Sequence, residues 1–287
     1  HEQLKFDWFG DLRVQLSSLS SLTCGKFLYF SLCFTKKRIF YYFTTMNNAT
    51  LLFLGTGTSE GVPRVSCLTH PEKHCEVCHD AIKVGSPNRR RNTSILISKT
   101  LKNKKKLNVL IDVGKFFYES SMNWFPPNAI KTIDAIVLTH SHADAVGGLD
   151  DLRDWTNNTQ NIINVYLRKT DLESISRSYD YLVDRSKQTG GGGVANLKFN
   201  VIDHNPFEVC GIKFTPLPVI HGPAQWAYGY RFGNVTYISD TSSIPSETQK
   251  LIRGSEILIL DALRPRKTHG THFTLEEAIA FARTVKP

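Results

Sequence analysis

An apolar run, Ile136-Val-Leu-Thr139, leads directly into His140-Ser-His142-Ala-Asp144 and then into Gly147-Gly148. Alternate residues of an extended turn can point at one centre, so two imidazoles and a carboxylate spaced two apart at a strand end form a donor set suited to zinc or manganese. A lone His-x-His is common at strand ends, and this one gains weight from its company. Val109-Leu-Ile-Asp112, Leu217-Pro-Val-Ile-His221 and Val235-Thr-Tyr-Ile-Ser-Asp240 are further apolar runs that close on a ligand-type residue. Polar groups at the C-terminal ends of strands are how α/β sheets assemble their sites.

The same grain runs through the chain from residue 47. Short β-branched and aliphatic stretches at 51–54, 94–97, 109–112, 135–139, 165–167, 199–202, 212–217, 228–232, 235–238 and 257–260 predict strands. Helical patterns lie between some of them, at 143–155, 171–184, 246–251 and 275–285. The last is opened by Thr274 with Glu277 three residues on, a capping-box arrangement. Strands with helices on the outside indicate an α/β layered sandwich. The four consecutive glycines within 189–193 belong to neither a helix nor a strand interior and read as a mobile loop near a rim.

Composition bears on partners and compartment. Lys and Arg outnumber Asp and Glu by 35 to 26, a formal charge of +9, within a chain of 287 residues that is 41% hydrophobic and 21% charged. That balance excludes a disordered or coiled-coil polymer and favours anionic partners such as phosphate esters or nucleic acid without choosing between them. No stretch nears the roughly 20 apolar residues of a membrane helix, so no membrane partner and a soluble, cytoplasmic protein are expected. Six cysteines, three of them crowded at Cys67, Cys75 and Cys78, fit a cytosolic metal cluster better than a disulfide scaffold. Residue 1 is His, whereas Met46 stands just before a strand pattern. Residues 1–45 therefore read as a non-native or targeting extension that packs little against the body, and 46–287 as the folded domain. Organelle targeting by 1–45 is the alternative to a cytoplasmic location, and the aromatic run 38–43 argues against it. The composition leaves an oligomer open.

The ordered set of Asp112, His140-x-His142-x-Asp144, His221 and Asp240 resembles the metallo-β-lactamase superfamily. Leu54-Gly-Thr-Gly-Thr-Ser-Glu-Gly-Val-Pro63, the cysteine cluster and Asp240-Thr241 are most similar to the cyclic-phosphate phosphodiesterases of the carbon-phosphorus lyase pathway, themselves similar to ribonuclease Z. The resemblance implies a four-layer αββα sandwich. It implies that His140, His142 and His221 bind a first metal, that Asp144 binds a second, that Asp240 bridges them, and that Asp112 orients the loop. His272 takes the position of a general acid near the leaving group, with His269 a weaker candidate. Two departures stand out: Ala145 occupies the place of a second-metal His, and the last family His has no counterpart before Pro287. The expectation is a C-terminally truncated domain holding one or two active-site ions, with the second ion bound more weakly.

Cys67, Cys75 and Cys78 have the Cys-x-x-Cys bite of a structural zinc site. His70, His74 and His79 are local candidates for a fourth ligand, and the resemblance implies a His beyond Pro287. Asn88-Arg89-Arg90-Arg91-Asn92 and Arg264-Pro-Arg266-Lys267 offer cations for a phosphate clamp. The expected activity is hydrolysis of a small or cyclic phosphodiester by metal-bound hydroxide, with His272 protonating the departing oxygen. The alternatives are a ribonuclease Z-like nuclease, a thioesterase or lactonase, and a catalytically inactive binding protein.

Overall fold

The computed structural model describes residues 49–188 and 193–285, together with the backbone of three strands nearer the N-terminus. It is mixed α/β with two sheets and helices, as the strand pattern predicts. The strands are β1 (Asp7–Phe9), β2 (Leu12–Gln15), β3 (Phe30–Thr35), β4 (Ala49–Gly55), β5 (Ser94–Thr100), β6 (Lys106–Ile111), β7 (Ala135–Val137), β8 (Ile163–Arg168), β9 (Leu197–Ile202), β10 (Phe207–Val209), β11 (Ile212–Ile220), β12 (Trp226–Phe232), β13 (Val235–Ile238) and β14 (Ile257–Ala262). Each of the ten predicted strands is present. The chain divides into two compact units, one of residues 56–91 and 216–285 with β1–β3, the other of 49–55, 92–188 and 193–215.

In the second of these units the sheet runs β4-β5-β6-β7-β8-β9. Strands β4, β5 and β6 pair antiparallel, and β6 through β9 pair parallel. Parallel neighbours need crossovers, and these carry the helices Phe117–Trp124, Ala143–Val146, Arg153–Asn158 and Lys169–Ser178. Strand β7 is buried along its whole length, which is why Ala135-Ile-Val137 reads as an unbroken apolar run. The core of this unit gathers Leu96, Leu110, Ile136, Leu138, Val146, Leu149, Leu152 and Val165. Because β6 and β7 are parallel and in register, their C-terminal ends fall side by side, and Asp112 and Thr139 follow at one edge.

The other sheet has the order β1-β2-β3-β14-β13-β12-β11-β10. Strands β13 and β14 pair parallel with Ile238 opposite Leu260, so Asp240 and Asp261 also leave a common edge. Helix Leu275–Val285 lays Ala278, Ala282 and Val285 into a core with Leu217, Ile238, Leu258 and Leu260. Its capping box forms as predicted: the Thr274 backbone N–H donates to Glu277 Oε2 at 2.7 Å, and the Glu277 N–H donates to Thr274 Oγ1 at 3.2 Å.

Two expectations are corrected. The helix expected over 143–155 ends at Val146 and resumes as Arg153–Asn158, because Gly147-Gly148 and a 3-10 turn at Asp150–Leu152 intervene. The pattern over 171–184 is likewise two helices, Lys169–Ser178 and Asp180–Val183, parted at Tyr179 with φ −137° and ψ 56°. Within residues 1–45, expected to pack few apolar side chains against the body, the backbone of β3 pairs antiparallel with β14 and that of β2 with β3. An edge strand offers unpaired N–H and C=O groups, and β3 takes up those of β14. The glycine loop at 189–192 and Met46 lie outside the described residues. Strand β10 and the helices Val65–Leu68, Glu76–Ala81 and Phe117–Trp124 went unread, being too short or too weakly periodic to register as pattern. Among the described residues no helix is long and apolar enough to cross a membrane.

Candidate metal centre

The predicted ligands fall into two sets, one in each unit. In the sheet of β4–β9, the chain leaves β7 through Leu138 and Thr139 and delivers His140 and His142 into the turn before Ala143–Val146, with Asp144 in the first turn of that helix. His140 and His142 stack edge to face with ring centroids 4.6 Å apart, and His140 Nε2 lies 3.8 Å from Asp144 Oδ1. The support comes from β6. Asp112, buried and held at φ 63°, accepts the Thr139 N–H on Oδ1 and the Thr139 hydroxyl on Oδ2, each at 2.8 Å. Thr139 Oγ1 is also 2.8 Å from His140 Nδ1. The hydroxyl has one proton, and it goes to the carboxylate, so toward His140 the oxygen accepts and Nδ1 carries the hydrogen. That tautomer leaves the Nε2 lone pair for a metal.

Close backbone packing fixes this turn. The Val113 N–H donates to the Ala145 carbonyl at 2.7 Å, and the Gly148 N–H donates to the Val113 carbonyl at 2.9 Å. A Cβ at Gly114 would sit 2.0 Å from the Asp144 carbonyl oxygen, and one at Gly148 would meet the Gly114 carbonyl at 2.6 Å. Ala145 is buried in the apolar core with Val113, Val146 and Leu149, and it supplies no ligand atom.

The second set belongs to loops at the ends of β11, β13 and β14. His221, Asp240 and His272 bring one ligand atom each within 4.8 Å of one another. His221 Nδ1 is 2.8 Å from the Thr271 carbonyl. A carbonyl only accepts, so Nδ1 donates and Nε2 again holds the lone pair. Gly222, at φ 104°, allows the close approach of the Thr271 side chain, which a Cβ would meet at 2.7 Å. His272 and His221 stack edge to face at 4.9 Å, with His269 5.2 Å beyond His272. Burial, then the neighbouring His272, Arg264 and His221, push the His269 ring below the usual imidazole range.

Sequence reasoning passed over Asp261. It is buried at the end of β14, and its Oδ2 accepts both His272 Nδ1 at 2.8 Å and the Thr241 N–H at 3.0 Å. Burial pushes its carboxyl up, an effect that His272 opposes and Asp240 reinforces. Ile257-Leu-Ile-Leu-Asp261 is one more apolar run ending in a carboxylate, and that was the signal available.

Several of the arginines expected to clamp a phosphate have partners within the chain. Arg264, buried, gives its Nε to the Lys267 carbonyl and Nη2 to the Thr268 carbonyl, both at 2.9 Å, and so ties its own loop. Arg89 donates to the Ala81 and Ile82 carbonyls at 2.9 Å, Arg90 to Thr56 Oγ1 at 3.0 Å, and Arg91 to the Val62 carbonyl at 3.4 Å.

Cys67, Cys75 and Cys78 lie buried with their sulfurs within 4.8 Å of one another. Cys67 and Cys78 stand outside any disulfide, whereas Cys75 is disulfide-bonded. A three-thiolate metal site at this place requires that bond to be reduced. His74 and His79 stack on each other at 4.1 Å instead of joining the sulfurs.

A family model described as a beta-lactamase superfamily domain matches residues 107–287. A crystal structure described as a new diphosphatase from the PhnP family aligns with a TM-score of 0.67 and 34% identity over 83% of each chain. The short form of human tRNase Z aligns with a TM-score of 0.53 over 82% of this chain and 88% of that one; at 16% identity the likeness is one of fold. An octanoyltransferase from Porphyromonas gingivalis is 32% identical over 229 residues, 79% of this chain and 42% of the relative. The chain thus spans less than half the length of that protein.

Proposed function

Because the chain belongs to the beta-lactamase superfamily and has the hydrolase fold of the metallo-β-lactamases, with the divalent-metal binding that fold implies, we propose that it is a zinc-dependent phosphodiesterase acting on a small or cyclic phosphodiester. The observation that carries this reading is the pair of imposed tautomers: His140 and His221 each spend Nδ1 on a fixed acceptor and turn a buried Nε2 lone pair to a ligand. Such second partners accompany metal-binding histidines. Borderline nitrogen and carboxylate donors suit zinc, with manganese the alternative ion.

In this reading, by the family pattern, His140, His142 and His221 would hold a first ion, and Asp144 and Asp240 would serve a second. A bound divalent ion supplies Lewis-acid polarisation of the phosphoryl group and water of lowered pKa. The residues of the chain do the remainder. Asp112 and Thr139 keep His140 in its tautomer. His272 hands a proton from Nε2 to the departing oxygen, with Nδ1 held by Asp261. Ala145 leaves the second position short of a donor, so a second ion would be held by fewer residues than the first. The match to the diphosphatase of the PhnP family favours a phosphate ester or anhydride over a thioester or lactone. The substrate is then a small molecule, in preference to RNA.

The test is a zinc and manganese titration of metal-stripped protein, read by metal content and by turnover of bis(4-nitrophenyl) phosphate, an aryl cyclic phosphate, a dinucleoside diphosphate and an acyl thioester. Metal-dependent turnover of the phosphate compounds, with the thioester inert, supports the proposal. Turnover of the thioester alone, or of none with metal bound, overturns it.

A further inference from the structure

We propose that Trp226 is a stacking platform beside the metal centre, taking the planar group of a phosphodiester substrate, a nucleobase or an aryl ring. The proposal deepens the phosphodiesterase reading, rests on it for the reaction, and names the substrate class that the site prefers.

Trp226 opens β12 and is 48% exposed. Among the described residues of its unit, every other Phe and Tyr side chain is buried or half-buried. Single exposed apolar residues are ordinary on a protein surface, so exposure alone carries no weight. The place of this one does. His221, which follows β11, donates its backbone N–H to the Gln225 carbonyl at 2.9 Å, and the Gln225 N–H donates to the Gly222 carbonyl at 3.3 Å. The chain turns back over 222–224, where Gly222 at φ 104° and Ala224 at φ 55° take left-handed conformations. Trp226 is the next residue after this closing pair. Paired strands lie roughly 5 Å apart, so its backbone starts about one strand spacing from that of His221. On its other side β12 pairs antiparallel with β13, Tyr230 opposite Tyr237 and Phe232 opposite Val235. Continued toward the sheet edge, that register sets Trp226 level with Thr241, the residue after Asp240.

Alternation along β12 fixes the face. Ala227 lies in the core with Leu217, Val219 and Ile238, and a Cβ at Gly229 would meet Ile238 Cγ1 at 2.6 Å. Trp226, Tyr228 and Tyr230 therefore take the opposite face. Tyr228 and Tyr230 are buried there, edge to face at 6.1 Å, and Trp226 is the member of the row that emerges at the edge. Among the described residues no ring stacks on the indole, no cation lies over it and no acceptor takes its N–H. From Pro216 to Tyr230 the chain carries no Asp, Glu, Lys or Arg, so the surface around the ring is neutral and suits the uncharged planar part of a phosphodiester. An indole face accepts any base, because every base has a π face, and stacking of this kind discriminates planar from aliphatic groups.

The experiment compares the wild-type chain with Trp226→Ala and Trp226→Phe, circular dichroism confirming the fold of each. Indole fluorescence of zinc-supplemented protein is titrated with thymidine 5′-monophosphate, phenyl phosphate and methyl phosphate. Turnover is followed on thymidine 5′-(4-nitrophenyl) phosphate and methyl 4-nitrophenyl phosphate, which share a leaving group. If the platform takes the base, thymidine monophosphate quenches the wild type and neither variant, and Trp226→Ala lowers the preference for the thymidine compound, as the ratio of kcat/KM values, roughly tenfold through KM. If it takes the aryl ring, phenyl phosphate quenches and KM rises for both compounds alike. Either result supports the proposal, with Trp226→Phe expected to keep most of the preference because it keeps a ring face. KM unchanged for both compounds in Trp226→Ala, Trp226→Phe as impaired as Trp226→Ala, or equal quenching by methyl phosphate would overturn it. So would quenching that grows with protein concentration in the absence of ligand, which would make the indole a contact between copies of the chain. A wild type inactive on both compounds would overturn the phosphodiesterase reading instead, and the fluorescence titration would then decide the platform by itself.

Discussion

The turn carrying His140, His142 and Asp144 and the loops carrying His221, Asp240 and His272 achieve one end by different construction. Both hold an imidazole with Nδ1 occupied and Nε2 as the lone pair. In the first, the holder is a side-chain relay from Asp112 through Thr139, inside backbone packed so closely that two glycines have no room for a Cβ. In the second, His221 is held by a main-chain carbonyl, and the surrounding loop is tied by Arg264 and anchored by Asp261. The first is therefore rigid and dependent on named side chains. The second is assembled from distant strand ends, with an orienting contact that no single side-chain replacement deletes.

The largest effect that would sharpen this contrast is at Gly114. Gly114→Ala places a methyl 2.0 Å from the Asp144 carbonyl oxygen, and main chain on both sides cannot yield as a flexible side chain would. Overpacking of this kind should cost about 3 kcal/mol or more, read by urea unfolding. A loss under about 1 kcal/mol would mean that the turn is as pliant as the loops carrying His221 and His272.

Next in size is Ala145→His. Ala145 is buried among Val113, Val146 and Leu149, so an imidazole there must displace apolar side chains at a cost of about 2 kcal/mol in metal-free protein. Excess zinc should recover part of the loss by binding the folded state. Thermal unfolding with and without zinc checks both halves. Equal melting temperatures in the two conditions would show that position 145 faces the core alone and cannot serve a second ion.

Arg264→Ala probes the other region. It removes two donors from the Lys267 and Thr268 carbonyls, and hydrogen bonds from a charged donor are worth about 1.5–3 kcal/mol each when buried. The carbonyls of a loop can turn to water once the arginine is gone, so the expected loss is about 2 kcal/mol in total. Loop mobility by hydrogen exchange should rise at 264–272 and stay unchanged at 139–148. Spread of the change into 139–148 would break the division between the two constructions.

How much of this was legible in the sequence follows from the same contrast. His140, His142 and Asp144 lie within five residues after one strand, so chain geometry alone predicts their grouping. His221, Asp240 and His272 are scattered along the chain; the recurring form of an apolar run ending in a ligand type pointed to His221 and Asp240, and only the family resemblance pointed to His272. That form also marked Asp112, and it marked Asp261 equally well, yet β14 was read only as a strand. The arginine runs left their partners open, because charge in a sequence does not say whether a guanidinium faces solvent or a carbonyl. The break at Gly147-Gly148 was not read because close approach of two backbones leaves no periodic trace. Strand β3 could not be read as part of the sheet, since edge pairing depends on β14 far away in the chain.

The smallest expected change is the most specific. Thr139→Val keeps the shape of the side chain and the N–H that donates to Asp112 Oδ1, and removes only the hydroxyl linking Asp112 Oδ2 to His140 Nδ1. His140 is then no longer confined to the tautomer with hydrogen on Nδ1, and a share of the protein carries it on Nε2, where it blocks a metal. Loss of such an outer partner typically lowers metal affinity 10–100-fold, and one relay link of the present kind should account for about tenfold, equivalent to about 1.4 kcal/mol. Zinc competition against a chelator measures it directly, with circular dichroism confirming that the fold is kept. His221 offers no matching substitution, because its acceptor is main chain, and that asymmetry makes Thr139 the place where the two constructions can be told apart. Zinc affinity unchanged in Thr139→Val would mean that the relay does not set the His140 tautomer and that both histidines are held by backbone packing alone.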